Sequence, residues 1–148
     1  MLFITNRNFR QSKRTRIGRK VDFDLNDNEA GQSVYFCERR DKESYVEIGN
    51  RNFFKALKES KYEQVMLYIH GYSNLPETHI FPMTQVLQQL CDQIEPNLVQ
   101  VVPIIWPCDN DRGLVQDYYD DQQAADASAY AFERWGQGRT DKATSYNR

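Results

Sequence analysis

The chain has 148 residues, of which 40% are apolar, 13% aromatic and 27% charged. This length is enough for one domain with a substantial core, and the composition excludes an intrinsically disordered chain. The 19 basic and 21 acidic side chains give a net charge of −2. A net charge this close to zero creates no long-range electrostatic field that would attract a nucleic acid or an anionic membrane. We therefore expect neither a nucleic-acid partner nor a membrane partner.

The cysteines and the apolar runs indicate where the chain resides. Cys37, Cys91 and Cys108 include no C-x-x-C pair and are odd in number, so we expect reduced thiols rather than a disulfide framework. No apolar run reaches the ~18 residues that a membrane helix needs, and the N-terminus turns basic too early for a signal peptide. These features predict a cytoplasmic protein.

The first predicted strand is Leu2–Thr5, a short β-branched and aromatic run. Residues 7–20 are strongly basic, and residues 21–31 are acidic and rich in turn formers. We expect the two segments to form one long solvated loop whose charges roughly cancel. A nucleic-acid-binding arm is the alternative, but the segment lacks the interleaved aromatic residues that stack on bases.

A hairpin and a short helix are predicted next. Val34–Cys37 and Tyr45–Ile48 are strand candidates on either side of the polar turn Glu38–Ser44. Asn52–Ser60 is typical of a short amphipathic helix. The side chains expected to face inward from this helix are Phe53, Phe54 and Leu57.

The second half alternates strands and helices. Val65–Ile69 and Val99–Trp106 are continuous apolar runs, which are typical of parallel strands covered on both faces. Pro76–Ile94 and Asp117–Trp135 are the two predicted helices. This order predicts an α/β fold in which an N-terminal antiparallel hairpin precedes parallel β-α-β-α units with right-handed crossovers.

Both helices carry an apolar stripe that we expect to face the core. In the first helix the stripe consists of Ile80, Met83, Leu87, Leu90 and Ile94, with Val86 and Cys91 beside it. In the second it consists of Ala124, Ala127, Ala131, Phe132 and Trp135. Asn74 is the expected cap of the first helix. Pro82 predicts either a late start of the regular helix or a kink.

Polar side chains follow each of the two parallel strands. HGYSN, residues 70–74, and WPCDNDRG, residues 106–113, lie at strand ends, and open α/β sheets bind ligands outside the carboxyl ends of their strands. Gly71 allows a sharp turn and close approach of a ligand. Backbone N–H groups at such a position stabilise a developing oxyanion. His70 is either a catalytic base or, as we favour, a residue that shapes the loop; His79 is expected to be solvated or capping.

Four segments together resemble the N-terminal half of an α/β-hydrolase. They are FITNRN (residues 3–8), VMLYIHGYSN (65–74), VVPIIWPCDNDRG (101–113) and DYYDDQQAADASAYAFERW (117–135). The closest likeness is to an esterase/lipase-like group of uncharacterised function, and it covers residues 1–136. Residues 137–148 are expected to form a polar, disordered tail.

The resemblance implies a serine hydrolase that acts on a small-molecule ester and uses no cofactor or metal. His70, Gly71 and Tyr72 then correspond to the oxyanion-hole loop, with the Tyr72 N–H as the donor. The nucleophile of such enzymes is the serine of a G-x-S-x-G elbow after the fifth strand, followed by an acid and a histidine. Ser73 lies in Gly-x-Ser but after the wrong strand, and Leu75 replaces the closing glycine.

The other serines do not supply this elbow either. Neither Ser128 nor Ser145 has the required glycines, and no histidine follows His79. The residues therefore predict a truncated α/β-hydrolase that is inactive as this chain. Because the fifth strand of such a sheet lies beside the third, Val65–Ile69 would form an exposed edge, and we expect self-association or a partner that covers it.

Two alternatives stay open. The first is a non-catalytic binding or assembly module built on the α/β half-sheet. The second is a small enzyme in which His70 acts with Cys108 as a thiol nucleophile, or with a carboxylate of the neighbouring loop. The candidate carboxylates are Asp109, Asp111 and Asp117.

Overall fold

A computed structural model of the protein describes residues 1–108 and 122–133. Within these residues, six strands form one mixed sheet in the order β2-β4-β3-β1-β6-β5. The strands are β1 (Leu2–Arg7), β2 (Lys20–Val21), β3 (Ala30–Asp41), β4 (Ser44–Glu47), β5 (Gln64–Ile69) and β6 (Val99–Ile105). The helices are α1 (Gly49–Lys58), a π-helical turn (Pro76–Ile80) that continues into α2 (Phe81–Ile94), and α3, whose described part is residues 122–133.

The sheet confirms the predicted α/β class. β3 pairs antiparallel with both β1 and β4, whereas β6 pairs parallel with β1 on one side and with β5 on the other. The connection from β5 through α2 to β6 is a β-α-β unit. Because β1, β5 and β6 run in the same direction, their carboxyl ends meet at one edge of the sheet.

The hairpin is present, but β3 is longer than predicted and β4 begins and ends one residue earlier. β3 and β4 continue pairing to Asp41 and Ser44. The turn is therefore confined to Lys42 and Glu43, and Glu43 adopts a positive φ of 54°. The charged residues at the end of β3 suggested a loop, although strands at the rim of a sheet tolerate such side chains. α1 also begins earlier than predicted, at Gly49, whose φ is 73°.

The predicted solvated loop at residues 7–31 is only partly correct: residues 12–18 are exposed as expected, but other parts of the segment are buried. Phe9, Val21 and Phe23 are buried, and Phe9 forms an isolated antiparallel bridge with Phe23. The Phe9 and Phe23 rings lie 5.6 Å apart, and the Phe23 ring lies 5.9 Å from that of Phe3 in β1. These apolar residues are isolated within charged sequence and show no periodicity, so the pattern did not reveal that the segment covers one face of the sheet.

Two apolar clusters lie on opposite faces of β1. The first is largely aromatic and unites the buried segment, the hairpin and the start of α2; its main members are Phe3, Phe23, Tyr35, Tyr45, Ile80 and Phe81. The second lies beneath α1; its main members are Leu2, Ile4, Phe36, Phe53, Val102 and Ile104. Phe53 is the most deeply buried of the three residues that α1 was predicted to turn inward.

The apolar stripe of α2 points mostly away from these clusters. The helix buries Phe81 and Thr84, whereas Met83, Val86, Leu90 and Ile94 are exposed. Most of the predicted core stripe is thus wrong for the described residues. Pro82 lies in the first turn of α2, so the regular helix starts late, which was one of the two predicted effects. The N-cap residues are Leu75 for the π-helical turn and Ile80 for α2, and neither makes a capping hydrogen bond with its own side chain. Asn74 is therefore not the cap.

β5 lies at the outer end of the described sheet. The prediction that this strand is covered on both faces is wrong, because Val65, Leu67 and Ile69 are 45%, 54% and 66% exposed. The expectation of an exposed apolar edge strand is confirmed for the residues that the structure describes.

Candidate functional site

The candidate site lies where β5, β6 and β1 end together. His70 directly follows β5, and Trp106 directly follows β6; both are buried. Their rings stack face to face, with centroids 5.0 Å apart and planes inclined by only 3°. The two strand ends that the sequence predicted to share one edge are therefore in direct contact.

Three hydrogen bonds join His70 to its surroundings. The Trp106 backbone N–H donates to His70 Nε2 at 3.2 Å, and the indole N–H of Trp106 donates to the His70 carbonyl at 2.9 Å. Because Nε2 accepts, the ring proton is assigned to Nδ1, which donates to the Gly71 carbonyl at 2.7 Å. Both ring nitrogens are occupied, so this geometry supports a role in shaping the loop rather than a role as catalytic base.

The charge state of His70 agrees with this role. Burial, aided by the positive charge of Arg7, lowers its pKa to about 4. The ring is therefore neutral at neutral pH, as the hydrogen bond accepted by Nε2 requires. A neutral histidine with both nitrogens bonded to backbone groups serves as a fixed connector between the loop and β6.

The turn that follows is built differently from the prediction. The residue in the left-handed region is Ser73, with φ of 56°, rather than Gly71. A Cβ placed on Gly71 would meet only Asn74 Nδ2, at 3.8 Å, which is ordinary contact. The Asn74 side chain closes the turn by donating to the carbonyls of Gly71 at 3.1 Å and Tyr72 at 2.9 Å. The loop is thus held by its own polar side chains.

Cys108 anchors the far end of the loop. The Asn74 N–H donates to its Sγ at 3.3 Å, and the thiol donates to the Asn74 carbonyl at 3.0 Å. The Cys108 carbonyl in turn accepts a 2.9 Å hydrogen bond from Arg7 Nη1. This arrangement provides structural support for the loop. It does not favour the Cys108–His70 nucleophile pair, because His70 uses both ring nitrogens elsewhere.

Arg7 is the main site residue that sequence reasoning missed. It is fully buried at the end of β1 and also donates to the Leu25 carbonyl at 3.3 Å and to Asn28 Oδ1 at 3.2 Å. The sequence placed it in a solvated basic segment. A signal was present, since it lies between Asn6 and Asn8 at the end of an apolar strand, but an arginine there does not by itself indicate burial.

A second polar cluster fixes the chain just beyond the loop. Glu77 accepts hydrogen bonds from Arg39 Nε at 2.9 Å, Arg39 Nη2 at 2.7 Å and the Tyr45 hydroxyl at 2.6 Å. Burial alone would raise the Glu77 pKa, but these hydrogen bonds outweigh it and lower the pKa to about 2. The cluster ties the start of the helical segment to the hairpin.

The remaining candidates take structural positions or lie outside the described residues. His79 Nδ1 accepts a 3.1 Å hydrogen bond from the Leu75 N–H, which confirms the capping interpretation. Ser128 is buried and accepts a 2.8 Å hydrogen bond from Asn6 Nδ2. The candidates and segments outside the described residues are Asp109, Asp111, Asp117, Ser145 and residues 137–148.

The comparisons with known proteins now identify the family. The sequence model of the family described as "Alpha/beta hydrolase of unknown function (DUF900)" matches residues 47–139. The chain belongs to this α/β-hydrolase family. No curated protein and no solved structure matches it. The part matched to the family contains β5, the HGYSN loop, α2 and β6, which are the elements that form the candidate site. Among the described residues, no helix is long and apolar enough to cross a bilayer.

Proposed function

We propose that this chain supplies the oxyanion-hole loop of a cytoplasmic serine ester hydrolase, esterase- or lipase-like, that acts on a small ester. The observation that carries the proposal is the HGYSN loop itself. In a member of an α/β-hydrolase family, this loop lies at the carboxyl edge of parallel strands. Its backbone is fixed by His70, Asn74 and Cys108 before any ligand arrives.

Tyr72 provides the proposed donor. Its N–H follows Gly71, whose carbonyl is held by His70 Nδ1 at 2.7 Å and by Asn74 Nδ2 at 3.1 Å. A peptide group fixed in this way stabilises a developing oxyanion without reorganising during the reaction. Loss of one such donor typically costs about 10²–10³ in kcat. His70 acts here as a positioning residue and takes no part in proton transfer.

We propose that the 148 residues lack the nucleophile, the acid and the triad histidine of such an enzyme. The sequence contains no G-x-S-x-G and no histidine after His79. We therefore expect the 148-residue chain alone to show no turnover of p-nitrophenyl esters and no labelling by a fluorophosphonate. Burst kinetics or a covalent adduct on any of its serines would overturn this part of the proposal.

The coding sequence beyond Arg148 tests the ancestry directly. We expect a G-x-S-x-G there in some reading frame, followed by an acid and a histidine. Its absence from every frame would contradict descent from a serine hydrolase.

A longer chain that carries this elbow would allow the oxyanion donor to be tested. Tyr72→Pro, which removes the N–H, should lower kcat about 10²–10³-fold. Tyr72→Phe, the matched control, keeps the N–H and should retain activity. Equal rates for the two variants would exclude Tyr72 as the donor.

A non-catalytic binding or assembly module is the second candidate, and the exposed flank of β5 favours it. Beside Val65 and Leu67 lies a groove of about 520 Å³, also lined by Phe54, Leu57 and Val102. An apolar edge of this kind invites strand pairing. Light scattering should show self-association, or a pull-down should recover one stoichiometric partner. A clean monomer with a sharp cooperative melt and no captured partner would contradict this candidate.

A further inference from the structure

Residues 10–20, here called the basic loop, lead into β2 and include its first residue, at the end of the sheet opposite to β5. The loop contains Arg10, Lys13, Arg14, Arg16, Arg19 and Lys20 and no acidic residue. It therefore concentrates positive charge in a chain whose net charge is −2. The sum over the whole chain conceals this local asymmetry.

Most of these cations form no ion pair with a described residue. Arg19 is the exception, because its Nε lies 2.7 Å from Glu47 Oε2. The other five are exposed and form no ion pair with a described residue: Arg10, Lys13, Arg14, Arg16 and Lys20. A surface that serves only solubility normally intersperses charges of both signs.

The backbone of the basic loop is fixed to the protein. The buried Glu47 carboxylate accepts the Arg16 N–H through both oxygens at 3.1 Å, and the Glu47 carbonyl accepts the Gly18 N–H at 2.7 Å. The Tyr35 hydroxyl donates to the Lys13 carbonyl at 2.9 Å. With the backbone held against the hairpin, the cationic side chains extend outward from an ordered support.

An apolar side chain is exposed among these cations. Ile17 is 64% exposed and lies between Arg16 and Gly18. Its side chain lies beside Gly49, where an added Cβ would meet Ile17 Cγ1 at 3.0 Å. An exposed apolar side chain within a basic segment is typical of segments that dock at the boundary between lipid headgroups and acyl chains. Arginine also matches phosphate geometry through paired N–H donors.

We propose that the basic loop docks the protein peripherally on an anionic phospholipid surface. The five exposed cations contact headgroup phosphates, and Ile17 enters the interface between them. A nucleic acid fits less well, because the one aromatic residue next to the loop, Phe9, is buried and offers no ring for stacking. The inference differs from the expectation of no membrane partner, which followed from net charge, and it is independent of the proposed hydrolase function.

Vesicle co-sedimentation tests this proposal. The 148-residue chain should bind phosphatidylcholine vesicles that contain about 30% phosphatidylserine, should ignore pure phosphatidylcholine, and should lose binding as salt increases. Removing two cations in Arg14→Gln/Arg16→Gln should lower the partition coefficient about 25-fold, at about fivefold per charge. Ile17→Ser should lower it about tenfold and leave the salt dependence unchanged.

A charge-matched control separates the loop from net charge. Lys58→Gln/Lys61→Gln removes the same two charges near β5 and should bind like wild type, with all variants giving the same thermal melt. Three results would overturn the proposal: equal loss in the control, no loss in Ile17→Ser, or no preference for phosphatidylserine. Displacement of the protein from vesicles by a single-stranded oligonucleotide at equal charge concentration would establish a nucleic-acid surface instead.

Discussion

β1 and β5 are both apolar strands of one sheet, yet their environments are opposite. All six residues of β1 are buried, between β3 and β6 and between two apolar clusters. β5 exposes Val65, Leu67 and Ile69 along its flank, although its end is fixed by His70. The difference shows that the rigidity of the candidate site comes from contacts at the strand end and does not require a covered strand.

Truncation of a buried side chain should have the largest effect on the free energy of unfolding. Phe81 is fully buried, with its ring 5.4 Å from that of Phe3 and 5.8 Å from that of Tyr45. Phe81→Ala should lower the free energy of unfolding by about 3–5 kcal/mol. The control Ile94→Ala, at a position 86% exposed, should change it by less than about 0.5 kcal/mol. Urea unfolding measures both, and similar losses would mean that α2 packs against something through its exposed stripe.

The free energy of unfolding should depend on pH through His70, which follows β5 at the candidate site. The pKa of His70 is about 4 in the folded protein against an ordinary value of 6.5, so the unfolded chain takes up the proton first as pH falls. Stability should therefore decrease between about pH 6.5 and pH 4, by up to about 3 kcal/mol, and level off below. His70→Gln should flatten this region of the profile. A wild-type profile that is already flat there would contradict the buried, neutral imidazole.

The cluster beside the loop should give a smaller effect. Tyr45→Phe removes the hydroxyl that donates to Glu77 at 2.6 Å, and the free energy of unfolding should fall by about 1–2 kcal/mol. The Glu77 pKa is lowered to about 2, so its stabilisation is lost only in more acidic solution, as pH falls from about 4.5 towards 2. Tyr130→Phe, at an exposed position, is the matched control and should have no effect on thermal unfolding.

A substitution on the exposed side of β5 should have the smallest effect on the free energy of unfolding and the largest effect on self-association. Leu67→Lys places a charge on a half-exposed position of the edge strand, and unfolding should shift by no more than about 0.5 kcal/mol. Light scattering should nevertheless show less self-association, because a charge on an edge strand opposes pairing. Gln89→Lys adds the same charge on α2 and should leave association unchanged. Equal effects of the two substitutions would point to net charge rather than to the edge.

Much of the fold followed from local patterns. The apolar runs predicted β5 and β6, the turn residues between strand candidates predicted the hairpin, and the periodicity from Pro76 to Ile94 predicted the helical segment between the parallel strands. Direction followed as well, because a single helix between two strands favours a parallel crossover.

The rest depended on contacts between distant residues. Phe9 and Phe23 are isolated among charges, so only the folded chain shows that they cover Phe3. The stack of His70 on Trp106 joins residues 36 positions apart. The periodicity of α2 correctly indicated an amphipathic helix. Periodicity does not show which surface the apolar face of a helix contacts, and so it did not reveal that most of this stripe is exposed.

A proton titration of the His70 ring by NMR tests the central claim most directly, because the proposed oxyanion loop depends on a neutral, fixed imidazole. The structure predicts a pKa of about 4, with the proton on Nδ1 throughout the neutral range. A pKa at or above the ordinary histidine value of 6.5, or a ring that exchanges freely between tautomers, would contradict the structural role and favour His70 as a catalytic base.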